Sequence, residues 1–418
     1  MESAVEKLRA AREFKTKKSG SNSNKLTLFV GLYNAKEYLN VISKQLNEQK
    51  FSDIDLLIVD NGSTDATWSL IENLDTQKFA NVIIVRNPIN TGYPGSMSLN
   101  FDLIRTPWVT SMHQDDIYSP DHLSVLSMAI KEAKTDEIVF STDMGAISAS
   151  GKEIGSPPRS IWFQRGNDPI TAFLTNLRTH TIPDPSSAYR SEVFQKVLPA
   201  WHNTAFPDTE MILRMCAYGK FIQIKQETVW YREHDNSISH SVSAMERDLA
   251  LCISLMNVFR SEEFQVICEQ VQTDDRDNFH VSLLRGVSSR IQNHDFKLLL
   301  ETNLSEILCQ HWNYSSQSML QHLAECYLKV NSNFSSDFLL RLYKFLDKES
   351  LEKVILNDNS SHSQRKIDGS IRPTKNGVLR KIYVAYGYKL PYSTRKALIV
   401  LIVRIRILFK GRDPWGIL

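Results

Sequence analysis

The chain has 418 residues, 42% hydrophobic and 23% charged, with a formal net charge of +2. That balance is ordinary for a globular protein, and the length exceeds one α/β core, so two domains or a domain with extensions are expected. The five cysteines, Cys216, Cys252, Cys268, Cys309 and Cys326, show no C-x-x-C spacing, which excludes a zinc pattern.

In chain order, residues 1–24 read as a short charged helix followed by a flexible linker from Lys15 to Asn24, with no chemistry assigned. Met1 to Ala10 is charged where a leader would be apolar, so reduced thiols in the cytoplasm are expected. An apolar run, Leu26 to Gly31, ends in Leu32-Tyr33-Asn34. A second, Leu56-Leu57-Ile58-Val59, passes into Asp60-Asn61-Gly62-Ser63-Thr64-Asp65 and then a helix beginning near Ala66. A third, Val82 to Val85, ends in Arg86-Asn87-Pro88-Ile89-Asn90-Thr91-Gly92. Gly92-Tyr93-Pro94-Gly95 reads as a turn between strand and helix, and no Walker or G-x-G-x-x-G loop is present. The fourth run, Trp108 to Met112, leads into His113-Gln114-Asp115-Asp116. Carboxylates at the carboxyl end of a strand lie where open α/β sheets bind ligands. Their hard oxygens suit a divalent cation carrying a diphosphate, yet the same pair also serves to cap a helix.

The order of these motifs resembles the family 2 glycosyltransferases, inverting enzymes with the GT-A fold. That family runs strand-Tyr-Asn, strand-Val-Asp-Asp-Gly-Ser-Thr-Asp, strand-Asn-x-Gly, then strand-Asp-x-Asp-Asp. Tyr33, Asn34, Asp60 and Asp65 match as they stand, while Asn61 replaces an Asp that is common there. Further on, Ser187 to Phe194 resembles the segment before the catalytic loop, and Phe206 to Met215 the Glu-Asp-x-Asp helix start. Tyr231-Arg232-Glu233-His234-Asp235-Asn236-Ser237 resembles the closing Tyr-Arg-x-His-x-x-Ser. The resemblance covers about residues 25 to 240.

It implies a nucleoside-diphosphate-sugar donor held by Tyr33, Asn34, Asp60, Asn61, Asp65, His113 and Asp115. Asp60, a pure acceptor when ionised, would receive a base N–H, as uridine, thymidine or guanosine offers. Manganese or magnesium would be held by Asp115, with His234 as a further ligand, and would act as a Lewis acid on the leaving diphosphate. His113 stands where the first Asp of Asp-x-Asp is usual, and could bond ribose or diphosphate or bind the ion. An inverting transfer also needs a base for the acceptor hydroxyl. Asp208 fits that position; Pro207 replaces the family's Glu, leaving Glu210 nearby to orient or to cap the helix.

Past Ser241 the periodicity is helical to about residue 360, and strand signals are scarce. From Arg365 to Leu418 there are 13 Lys and Arg against two acids, so the tail carries +11 and the preceding residues −9. Its apolar run, Ala397 to Val403, is shorter than the roughly 20 residues a bilayer needs. With flanking cations and the aromatics Tyr383, Tyr386, Tyr388, Tyr392 and Trp415, the tail suits an anionic membrane surface, or else a core-packed helix with a basic face. Nucleic acid ranks behind both as a partner.

The expected organisation is α/β: a GT-A type nucleotide-binding sheet flanked by helices (25–240), a mostly helical region (241–360) and a basic amphipathic tail (361–418). The expected activity is a hexosyltransferase or similar glycosyltransferase with a glycan or lipid-linked acceptor, peripheral on the inner face of the cytoplasmic membrane. Two rivals are a nucleotidyltransferase making activated sugars and a non-catalytic nucleotide-binding scaffold with a degenerate metal motif.

Overall fold

The computed structural model describes residues 4–15, 24–51, 53–155, 168–179, 182–198, 207–233 and 243–314. Helix α1 (Ala4–Ala10) leads into β1 (Glu13–Phe14), which pairs antiparallel with β4 (Val82–Arg86). Residues 13 and 14 therefore form an edge strand just ahead of the expected linker. Arg12 anchors this arm by a two-pronged bond to the Asp102 carboxylate, at 2.9 and 2.8 Å.

The heart of the sheet is parallel. Strands β2 (Leu26–Leu32), β3 (Ile54–Asp60), β4 and β5 (Trp108–His113) lie in the order β4-β3-β2-β5. Each is covered on both faces, which is why each reads as an apolar run without alternation. In register, Leu32 faces Asp60, Asp60 faces Arg86 and Gly31 faces His113. Four motif-bearing strand ends thus finish at one edge.

Beyond β5 the sheet continues with strands of mixed direction. β8 (Ser187–Arg190) runs antiparallel to β5 and to β7 (Glu137–Ser148). β9 (Lys220–Glu233) runs parallel to β7, and β6 (Ile117–Tyr118) pairs antiparallel with β9. The β7–β9 pair has register shifts near Asp143.

One face of the sheet carries α2 (Leu39–Glu48) and α5 (His122–Lys131), whose Leu39, Ile42, Leu46, Leu123, Leu126 and Ile130 pack on Leu28, Val30, Leu56 and Ile58. The other face carries α4 (Gly92–Asn100), α6 (Pro169–Thr179), α7 (Ser191–Val197) and α8 (Pro207–Met215). The short α3 (Thr67–Leu70) follows β3. The expected turn at residues 92–95 is instead the first turn of α4. Proline fits there, because amides of a first helical turn have no partner within the helix.

Four more helices follow: α9 (Ala244–Phe259), α10 (Glu262–Glu269), α11 (Arg276–Arg290) and α12 (His294–His311). A capping box between Ser243 and Glu246 starts α9. These helices share one apolar core with α6, α7 and α8, in which Phe173, Leu177 and Ile212 are packed together with Phe264, Leu284 and Leu304. Each large apolar side chain fully buried there contributes about 1.5–3 kcal/mol. Gly286 of α11 lies tight against α6, since a Cβ there would meet Leu177 Cγ at 2.8 Å.

Candidate active site

The loops after β2 and β3 are knitted together by the motif residues themselves. Asn34 takes a left-handed backbone, φ 49°. Its Oδ1 accepts from the Thr64 amide at 2.9 Å, while its own amide donates to Ser63 Oγ at 2.9 Å. Asp65 accepts from the Thr67 hydroxyl and amide and from the Lys36 amide. Burial opposes its charge, but those donors hold its carboxyl below the usual range. Tyr33 keeps an exposed ring at this rim, its backbone clasped by the Gln114 amide side chain at 3.0 and 3.3 Å.

Asp60 is fully buried. Its Oδ1 accepts from the Ser63 amide at 3.2 Å and from the Ser63 hydroxyl. Arg86 Nε stands 3.2 Å from Oδ2, close enough to pair by charge but not aligned as a hydrogen bond, so Oδ2 has an open lone pair. Burial raises the carboxyl's pKa against the pull of Ser63 and Arg86. The guanidinium also donates to the Ser63 carbonyl at 3.0 Å. Arg86 is thus committed to Asp60 and its loop.

Asn61 has its side chain fully employed within the protein. Its Nδ2 donates to Asn90 Oδ1 and the Gly92 carbonyl, at 2.9 and 3.2 Å. Its Oδ1 accepts from Asn87 Nδ2 and from Thr91, at 2.9 to 3.3 Å. A carboxylate could not make the two donations, which accounts for an amide where the family pattern has an acid.

At the end of β5, His113 is the hinge of a buried polar cluster. Its Nε2 lies 3.1 Å from Asp184 Oδ2, an oxygen that also accepts from Tyr93 OH at 2.7 Å and Ser111 Oγ at 2.8 Å. Nδ1 lies 3.8 Å from Asp116 Oδ2. Burial would lower the imidazole's pKa, but the bond and charge of Asp184, with Asp116 and Asp115, lift it to about 9. Asp184, against burial, is held below the usual carboxylate range by His113, Tyr93 and Ser111. Asp116 is pushed to about 6 by burial and the Asp115 charge, against His113 and Arg232.

Arg232 at the end of β9 closes this corner. Its amide donates to Asp116 Oδ1 at 3.0 Å and its Nε to the Asp115 carbonyl at 2.8 Å. Asp116 Oδ2 is left buried with no hydrogen-bond partner. An acceptor of that kind beside a second carboxylate fits a hard divalent cation, which would relieve both charges. Among the described residues, no group of three or more His, Cys, Asp or Glu is gathered to ligate one. His234 lies outside the described residues.

Asp208 opens α8, where its Oδ1 accepts from the Thr209 amide at 3.0 Å. The buried Tyr189 phenol is driven upward first by burial, then by the charges of Asp184 and Asp208. Both acids therefore act on one ring, carried by β8. Glu210 turns the other way: it is buried, with Oε1 3.4 Å from Arg214 Nη1 and Oε2 accepting from Asn257 Nδ2 at 3.1 Å. Arg214 in turn pairs with Glu263, at 2.9 and 3.2 Å.

Asp184, Asp116, Tyr93 and Arg232 are site residues that the motif reading did not assign. The one local signal for Asp184 is an acid between two prolines, Pro183 and Pro185, where a solvated turn has no need of burial. Tyr93 was masked by the breaker cluster around it.

Residues 27–198 match the family model described as Glycosyl transferase family 2. An uncharacterized glycosyltransferase of Nostoc sp., alr2836, is 24% identical over 241 residues, 54% of this chain and 70% of its own length. Abequosyltransferase RfbV of Salmonella typhimurium is 29% identical over 154 residues, 36% of this chain and 45% of its own. The crystal structure of S. aureus TarS 1-349 in complex with UDP-GlcNAc overlaps 73% of this chain and 92% of that one, at 14% identity and TM-score 0.45, too slight to define a shared fold. The family match and the strand-end motifs thus fall on the same segment, residues 27–198.

Proposed function

We propose that the chain is an inverting GT-A glycosyltransferase, moving a sugar from a nucleoside-diphosphate-sugar to the hydroxyl of a glycan or lipid-linked acceptor. The observation that carries it is the register that ends β2, β3 and β5 together, with Asp208 and Asp184 acting on the same buried phenol. Tyr33, exposed at the rim, stacks on the base, and the open lone pair of Asp60 Oδ2 receives its N–H. Asn34, Asn61 and Asp65 hold the loops that form the floor.

His113, fixed by Asp184 behind it, presents Nδ1 to the ribose or diphosphate. Asp115 would hold a divalent cation, with His234 as a further ligand; when bound, such an ion neutralises charge on the departing diphosphate. Asp208 takes the proton from the acceptor hydroxyl as it attacks the anomeric carbon opposite the leaving group, which inverts that centre. Glu210 orients the turn on which Asp208 sits.

The relatives' names support sugar transfer over a nucleotidyltransferase or an inactive scaffold. The basic tail from Arg365 supports an acceptor met at the cytoplasmic face of a membrane, as in cell-surface polysaccharide or glycolipid assembly.

Calorimetric titration with uridine, thymidine and guanosine diphosphates, each with manganese, magnesium or chelator, tests the donor site. Metal-dependent binding of one of them, lost in Asp115→Ala, is the expected result. Binding of none under any condition would sink the transferase reading in favour of a scaffold.

A further inference from the structure

The first turn of α8 carries Asp208, Thr209 and Glu210, and besides Arg214 of the same helix the side chains that grip it come from the helices after Ser243. Asn257 of α9 holds Glu210 at 3.1 Å. Arg290, the last residue of α11, donates Nη2 to Thr209 Oγ1 at 3.2 Å. Its Nη1 reaches back to the carbonyls of Asn176 and Leu177 near the end of α6, at 3.3 and 3.5 Å. Every one of these acceptors is neutral. A half-buried guanidinium surrounded by neutral acceptors costs more than an amide making the same bonds, unless an anion lies near. The anion whose charge acts on Arg290 is Asp208, and it partly offsets the downward push of burial.

We propose that Arg290 is a positioning residue for Asp208, holding the first turn of α8 and supplying the positive charge against which the carboxylate is aimed at the acceptor. The helices after Ser243 are then part of the catalytic unit. This rests on Asp208 being the base, so that reading has its own arm in the test.

The full chain is assayed for release of nucleoside diphosphate from UDP-glucose and from GDP-mannose with manganese, alongside calorimetric binding of UDP and GDP. Arg290→Met is expected to lower kcat about tenfold or more, with nucleotide affinity unchanged. Arg290→Lys should keep part of the rate, and Arg290→Met should add no further loss to Asp208→Asn. Parental kcat in Arg290→Met, beside an inactive Asp208→Asn, overturns the positioning role. Parental turnover in Asp208→Asn instead removes the base assignment on which it stands. Hydrogen exchange gives an answer that needs neither turnover nor a stable methionine variant. Faster exchange in Arg290→Lys confined to residues 207–215 is expected, and unchanged exchange there overturns the proposal.

Discussion

At His113 an imidazole stands where the family pattern has a carboxylate, and Asp184, 71 residues further along the chain, decides what that imidazole can do. With a folded pKa of about 9 against the ordinary 6.5, the group stabilises the fold fully below pH 6.5 and loses that contribution as pH rises through 9. Asp184→Asn keeps an acceptor oxygen but removes the charge. In metal-free protein its unfolding free energy should fall below the parent's by on the order of 2–3 kcal/mol at pH 6, and the gap should close toward pH 10. Denaturant unfolding at the two pH values reads this directly; a gap of equal size at both would mean that Asp184 acts through packing alone. The strand-end places of Asp60, Asn34 and His113 were legible in the sequence because each follows an apolar run short enough to read as a buried strand. Asp184 and Arg290 were not, since each reaches the site from a distant segment and no spacing links it to the residue it serves.

Among the elements, the parallel strands β2 to β5 follow from composition alone, and their common edge follows from parallel pairing. The second half of the sheet does not. β7 and β9 are parallel partners separated by β8 in sequence, and β8 owes its place to pairing with β5 on one side and β7 on the other. Close contacts fix these elements as firmly as hydrophobic pattern does: a Cβ on Gly145 of β7 would meet the Trp230 ring at 2.7 Å. At the α6–α11 crossing the same logic gives a prediction. Gly286→Val should destabilise the protein by about 1–3 kcal/mol through overpacking against Leu177. A melting temperature equal to the parent's would mean the crossing has slack. Truncation after residue 240 would uncover Phe173, Leu177 and Ile212, now sealed by α9 to α12. The fragment should therefore bind a hydrophobic dye and aggregate, whereas a soluble, cooperatively melting fragment would count against a shared core.

For the molecule as a whole, the first 364 residues carry −9 and the last 54 carry +11. Among the described residues no helix is long and apolar enough to cross a membrane, and the tail lies outside them. Deleting residues 365–418 should abolish co-sedimentation with phosphatidylserine vesicles, and binding by the intact chain should weaken as salt screens the cations. Sedimentation that survives the deletion would place the membrane contact elsewhere. Both margins of the sheet bear on how copies of the chain meet. At one, the Arg12-anchored arm already lies along β4, where another strand would have to add. At the other, the two-residue β6 covers β9 only at Val229 and Trp230, and β9 presents Lys225, Gln226 and Glu227 to solvent along a stretch with shifted register. Among the described residues neither margin offers a flat template for a neighbour's backbone. Copies of the chain brought to high local density are therefore expected to crowd together without zipping into fibres.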